Sequence, residues 1–298
     1  MMNRSLFSTL CLGALLATLA APAWAASLGD VISALETPFQ TQTDKKLRIY
    51  DYSADFFQES KIASLDRLQR ASGEVEVAVD YPRTNTVPRV KFHWQYEQPT
   101  TQEIVSDAKT LWVYLPENNQ VIQSDIEMVN RSRQNDPMTF LTGLGNLSRD
   151  FSIHWAVPNN DVEGNHVLEL TPKRVSSLIN KLIIVVDRYA VEAYLNPEQD
   201  EDQNVPSVPS AGSTPPVPTP PTSPMLGGFK NDPFAYEGGP RGPWFPILST
   251  TVYDPNGNST TIEFSDLRVN FGISDMSFNF MMPAGVQVVR PTGQEMGF

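Results

Sequence analysis

The chain has 298 residues, with 34 Asp and Glu against 22 Lys and Arg, a formal net charge of -12 and a sequence pI near 4.7. A surface this acidic repels phosphate backbones and anionic bilayers, which excludes nucleic acid as a general partner and disfavours adhesion to an anionic membrane. The only cysteine is Cys11, so a fold stapled by internal disulfides is also excluded.

The start reads as a secretory leader. A short basic segment, MMNR, precedes the apolar run LFSTLCLGALLATL and then AAPAWA, whose small residues Ala23 and Ala25 suit cleavage after Ala25. The apolar run is too short and wrongly flanked for a membrane anchor. Residues 1–25 are therefore read as a signal peptide and 26–298 as one domain, with no cysteine and a charge of -13.

Leu28, Val31, Ile32, Leu35 and Phe39 recur at helical spacing, so an amphipathic helix opens the mature chain. Residues 51–60 and 72–82 alternate like strands. In the next strand Val90, Phe92, Trp94 and Tyr96 share one phase, with Lys91, His93, Gln95 and Glu97 on the other, and Pro99 ends it. Two more strands flank a turn at 107–109, the second carrying Leu111, Trp112, Val113 and Tyr114. At 136–151 the pattern turns helical, with Asp136 as a cap before Pro137 and Met138, Leu141, Leu144 and Leu147 in a stripe that Gly143 and Gly145 weaken. Strands return at FSIHWAVP, NHVLELTPK and NKLIIVVD.

Residues 196–228 interrupt this order. An acidic cluster runs into a tract of Pro, Ser, Thr and Gly with little to bury, read as a disordered or polyproline-like insertion. Aromatics return at KNDPFAYEGGPRGPWFP, followed by the strands FPILSTTVYD and STTIEFSDLRVNF around the turn PNGN, and by a closing strand in SDMSFNFMMPAGVQVV. About ten strands joined mostly by short turns, with two helices, define a mainly β protein with α: a curved antiparallel sheet or barrel.

No catalytic constellation stands out. His93, His154 and His166 lack metal-ligand partners at helical or hairpin spacing, and neither a G-x-S-x-G elbow, a phosphate loop nor H-E-x-x-H is present. No enzyme, cofactor or metal is expected. Phe56, Phe92, Trp94, Trp112 or Tyr114, Trp155, Phe278 and Phe280 fall at inward phases. A closed barrel packed with them would be inert, and an unclosed one under a loose helical lid would hold a lipid-sized ligand. Periodicity alone leaves both open.

The ordered series SADFFQES, GEVEVAV, KFHWQYEQP, IVSDAKTLWVYLPENNQV, PMTFLTGL, FSI, LELTPK, TTIEFSDLRVN and FNFMMPAGVQVV resembles the periplasmic outer-membrane lipoprotein carrier family, LolA. The resemblance spans nearly all of the mature chain outside the insertion. It implies an unclosed antiparallel β-barrel whose hydrophobic concave side is covered by helices, in a periplasmic, monomeric protein. Such a protein would receive acylated lipoproteins from an inner-membrane ABC lipoprotein-releasing complex and pass them to an outer-membrane lipoprotein receptor. The cavity would be lined by Phe56, Val90, Phe92, Trp94, Tyr96, Trp112, Tyr114, Met138, Leu141, Leu144, Phe278 and Phe280. Family members carry an arginine-proline pair before the F-x-W strand, with the arginine holding the lid. Here Tyr81 and Pro82 occupy that place if RTNTVP is inserted, whereas an ungapped match puts Pro88 and Arg89 there, and Arg89 or Arg83 is the candidate latch. Asp107-Ala108 replaces the family's Asp-Gly and implies a different turn geometry. Two other readings stay open, a lipid- or lipoprotein-sensing envelope-stress regulator of the same fold, and a structural or assembly protein with a filled barrel.

Overall fold

A computed structural model describes residues 26–82, 88–126, 144–176, 178–196 and 243–291. The expected leader, nearly all of the 196–228 insertion, and Met138 and Leu141 lie outside the described residues.

The first helix, α1 (Leu28–Glu36), starts at a capping box: the Ser27 hydroxyl accepts the Asp30 N–H, and the Asp30 carboxylate accepts the Ser27 N–H at 2.9 Å. Its apolar stripe buries Val31 and Leu35 completely. A short 3-10 turn, Thr37–Phe39, continues it. The first six strands are β1 (Asp51–Ile62), β2 (Arg67–Asp80), β3 (Arg89–Gln98), β4 (Gln102–Ser106), β5 (Thr110–Leu115) and β6 (Gln120–Asp125). After the 3-10 turn Leu144–Asn146 come α2 (Leu147–Asp150), β7 (Phe151–Asn160), β8 (His166–Pro172), β9 (Lys181–Val186) and α3 (Arg188–Leu195). The chain closes with β10 (Ile247–Tyr253), β11 (Ser259–Val269), the 3-10 turn Asp275–Phe278 and β12 (Gln287–Val289).

All twelve strands join one sheet in the order β12-β6-β5-β4-β3-β2-β1-β11-β10-β9-β8-β7. The order is linear, with β12 and β7 at opposite ends, so the curved sheet is unclosed. Hairpin turns force neighbours to run antiparallel, and the single exception among the pairings is β12, which runs parallel to β6. Between β2 and β3 the register shifts at Gly73, where a Cβ would sit 1.9 Å from the Gln95 carbonyl oxygen, so only glycine fits.

Three expectations are corrected. The segment read as two strands around the turn at 107–109 forms three, because Pro116–Asn118 is a 3-10 turn followed by a left-handed Asn119 (φ +48°), which starts a new hairpin arm. The closing strand is mostly a 3-10 turn and extended chain, with only β12 paired. A further helix, α3, fills RYAVEAYL, started by Asp187, whose carboxylate accepts the Tyr189 N–H at 2.8 Å.

Candidate functional site: an apolar inner face under a helical cover

Strand alternation divides the sheet into two faces with different covers. Cross-strand register aligns Ala54, Val75, Trp94, Ile104, Val113 and Ile122 as one row across β1 to β6, and all six are buried. Phe56, Val77 and Phe92 extend that face along their strands. On the other half of the sheet Ile262, Thr250, Ile184 and Leu168 continue it through β11, β10, β9 and β8. The same core includes Val31, Leu35, Leu144, Leu147 and Val191 of the helical segments, so this is the inner face and the helices are its cover.

Aromatic rings make a continuous line along the inner face. Phe39, on the 3-10 turn of the cover, meets Phe245 at 6.2 Å between centroids, Phe245 meets Phe264 at 6.2 Å, and Phe264 meets Trp94 at 6.4 Å. Trp94 then lies 4.7 Å from Phe56, which lies 5.0 Å from Tyr96. Tyr52 joins this line beside Phe245 at 4.5 Å. Apolar packing stops at a polar ladder: the Tyr96 hydroxyl donates to Gln58 Oε1 at 2.9 Å, Gln58 Nε2 donates to Ser60 Oγ at 3.2 Å, and Ser60 bonds Thr260 at 3.1 Å. The inner face is thus greasy under the helices and wet at one end.

The cover is made of separate pieces, each tied by few polar contacts. The buried Glu36 carboxylate accepts the Ser148 N–H and, at 3.0 Å, its hydroxyl, which fastens α1 to α2. Gln40 Nε2 donates to the Gly145 carbonyl at 3.1 Å, and a Cβ at Gly145 would lie 2.7 Å from the Phe39 carbonyl oxygen. Thr37 Oγ1 contacts the Tyr194 hydroxyl of α3 at 3.4 Å. At the other end the Tyr81 hydroxyl lies 2.8 Å from the Ile49 carbonyl and 3.0 Å from that of Pro38. The Arg48 guanidinium stacks 5.1 Å over the Tyr81 ring and donates to the carbonyls of Thr41 and Thr43. Burial pushes the Tyr81 phenol above the ordinary tyrosine range, the nearby Arg48 charge opposing only part of it, so the hydroxyl remains a protonated donor.

The residues expected to line a cavity separate into two groups. Phe56, Val90, Phe92, Trp94, Tyr96 and Leu144 belong to the inner core or pack against it. Trp112, Tyr114, Phe278 and Phe280 do not. Leu111 and Val113 occupy the inner phase of β5, so Trp112 and Tyr114 point outward, where the Phe280 ring sits 5.9 Å from Trp112 and 6.1 Å from Tyr114. Both phases of TLWVYL are apolar, so alternation could not choose between them, and the larger side chains prove to be on the outer side. The C-terminal arm reaches that face through Lys91, whose ammonium bonds Asp275 at 2.8 Å and Asp80 at 3.1 Å. Arg89 shares the outer phase of Lys91 and is exposed at the start of β3 opposite Asp80, so it does not reach the cover; Arg83 lies outside the described residues. Sequence reasoning missed Arg48, and it set Tyr81 at the latch position without giving it the contact that it makes at this end. Ala108 is also a correction, since its φ of +70° retains the conformation that glycine favours at a turn.

An unclosed antiparallel sheet with an apolar inner face under short helices defines the class. The chain belongs to the outer membrane lipoprotein carrier protein LolA family, whose model matches residues 48–196. It is 25% identical over 291 residues to the outer-membrane lipoprotein carrier protein of Chromobacterium violaceum, covering 96% of this chain and 98% of that one. With the protein of the same description from Methylobacillus flagellatus it shares 23% over 199 residues, 67% of each chain. Among solved structures, the LolA superfamily protein from Nitrosomonas europaea aligns at 12% identity and a TM-score of 0.35, covering 86% of this chain and 99% of that one.

Proposed function

We propose that this protein is a periplasmic chaperone that shields the acyl chains of lipoproteins between its inner face and its helical cover and carries them from the inner to the outer membrane. The observation that carries this reading is the aromatic line from Phe39 to Tyr96, roofed by separate short helical pieces and not by a second sheet. An acyl chain of about 16 carbons exposed to water costs on the order of 12 kcal/mol at about 0.8 kcal/mol per methylene, so such chains need an escort across an aqueous space. The cover must also lift, and fasteners such as Glu36 to Ser148 and Tyr81 to Ile49, at about 1 to 3 kcal/mol each, leave that motion accessible.

Phe56, Val90, Phe92, Trp94, Tyr96 and Leu144 are the proposed lining, with Met138 and Leu141 as proposed contributors from the stripe that precedes Leu144. The donor and acceptor of the cargo would be an inner-membrane ABC lipoprotein-releasing complex and an outer-membrane receptor. No helix among the described residues is long and apolar enough to cross a membrane. Depletion in the native cell tests the reading. Lipoproteins should then accumulate at the inner membrane, and delipidated protein should take up a triacylated cysteinyl peptide. Normal lipoprotein sorting after depletion would overturn the carrier role and favour a sensor of the same fold.

A further inference from the structure

Among the described residues, two donors on the inner face have no partner. Tyr52 is 1% and Trp94 2% exposed, and neither the Tyr52 hydroxyl nor Trp94 Nε1 meets a hydrogen-bond acceptor. Buried polar groups are ordinarily satisfied, and a phenylalanine at Tyr52 would occupy nearly the same space without an orphaned donor. The third such atom, His93 Nε2, belongs to the outer phase of β3 and has no bearing on the interior.

The surroundings narrow what can satisfy these donors. Tyr52 pairs in register with Val77 and Val269 and leans on Phe245, while Trp94 sits among Val75, Ile104, Phe56 and Phe264. A buried water needs two to four polar partners, and the side chains named around each donor are apolar. A hydrocarbon chain supplies no acceptor at all. A carbonyl oxygen attached to an alkyl chain meets both demands, because one donor suffices for it and its chain takes the apolar wall. Burial pushes the Tyr52 phenol above the ordinary tyrosine range, so it stays protonated. Tyr52 lies on β1 and Trp94 on β3, with β2 between them, so they address two separate carbonyls.

We propose that Tyr52 and Trp94 are carbonyl-binding donors for a ligand with at least two acyl ester or amide groups, each receiving one carbonyl oxygen when the ligand enters. This assignment rests on the acyl-carrying reading of the same face. It adds selectivity for the ester linkage to simple burial of the chain.

The experiment compares four lipids on the folded protein: a dipalmitoyl-glyceryl cysteinyl peptide, its dialkyl-ether counterpart, dipalmitoyl phosphatidylethanolamine, and the ether form of that phospholipid. The wild-type protein should favour an ester lipid over its ether counterpart. Tyr52→Phe and Trp94→Phe should each lower ester affinity about fivefold more than ether affinity. In the wild-type protein the indole N–H resonance of Trp94, assigned by its loss in Trp94→Phe, should move downfield with the ester lipid and stay put with the ether. Discrimination with either ester lipid supports the assignment, and the tighter of the two identifies the source of the carbonyl. Equal binding of ester and ether lipids with an unmoved indole resonance overturns the donor role while leaving acyl carriage intact. An indole already at a hydrogen-bonded shift in the empty protein and unchanged by ligand means ordered water alone, and also overturns it. Failure of all four lipids to bind overturns the acyl-carrying reading and this one with it.

Discussion

The Tyr81 hydroxyl sits 2.8 Å from the main-chain oxygen of Ile49, and the same oxygen atom of Tyr81 reaches Pro38 at 3.0 Å. Through one phenol, the end of β2 is joined to both ends of the segment that links α1 to β1.

Tyr81→Phe keeps the ring under Arg48 and removes only this junction. Stability should fall by about 1 kcal/mol, the net worth of one hydrogen bond, and amide exchange should quicken in residues 37–49 ahead of the sheet. If the cover opens at this end, uptake of a triacylated peptide should also be faster in the variant. Unchanged exchange across 37–49 would mean that Tyr81 does not fasten the cover.

The outer face offers the opposite control. Phe280 stacks on Trp112 and lies tilted against Tyr114, and Phe278 is 1% exposed, yet neither belongs to the inner core. Phe280→Ala should therefore lower stability by about 1 to 2 kcal/mol through lost burial and leave acyl binding unchanged. A fall in acyl affinity without loss of stability would return these residues to the binding face.

What could be read in the sequence follows from how each element buries its residues. β3 was legible in its faces because Val90, Phe92, Trp94 and Tyr96 alternate cleanly with charged and amide residues, and the structure buries Phe92 and Trp94 as that phase requires. β5 was legible as a strand but not in its orientation, since its outer phase is covered by a C-terminal arm contributed from far along the chain. The parallel β12 was hidden because its pairing with β6 depends on long-range contacts such as Gln287 N–H to the Asn119 carbonyl, at 2.9 Å. The fasteners of the cover were illegible for the same reason: Glu36 and Ser148 lie 112 positions apart, and an isolated glutamate at a helix end carries no mark of its partner.

Ala108 gives a test on the turn between β4 and β5. Asp107 holds that turn by accepting the N–H groups of Lys109 at 2.9 Å and Thr110 at 2.7 Å, and it forces Ala108 to φ +70°. A Cβ in this region is strained by about 1 to 2 kcal/mol, and glycine relieves it at some cost in unfolded-chain entropy. Ala108→Gly should give a net stabilisation of up to about 1 kcal/mol, read as a higher urea midpoint with unchanged m. Ala108→Val should lower the midpoint. A glycine variant less stable than the parent would show that the strain is relieved elsewhere in the turn.

Two other turns share one device and predict a pH dependence. In DVEGN and DPNGN the aspartate's Oδ1 accepts two backbone N–H groups: Glu163 at 2.9 Å and Asn165 at 2.8 Å for Asp161, and Asn256 and Asn258 at 2.8 Å each for Asp254. Oδ2 takes the side-chain amide of the final asparagine, at 2.9 Å in the first turn and 2.7 Å in the second. Glycines at φ +87° and +84° complete the two loops. Burial alone would raise both carboxyls, but the asparagine and backbone donors outweigh it and hold them below the ordinary carboxylate range. A depressed folded-state pKa means that the charged form favours folding, so this stabilisation is complete above the unfolded value of about 3.9 and fades as pH falls through the folded one. Replacing both aspartates, Asp161→Asn with Asp254→Asn, should lower the melting temperature at pH 7. The gap from the parent should narrow as pH is taken from about 5 toward 2, where the parent carboxyls become protonated too. A gap that stays constant over that range would mean that the charge contributes nothing and that the turns are held by shape alone.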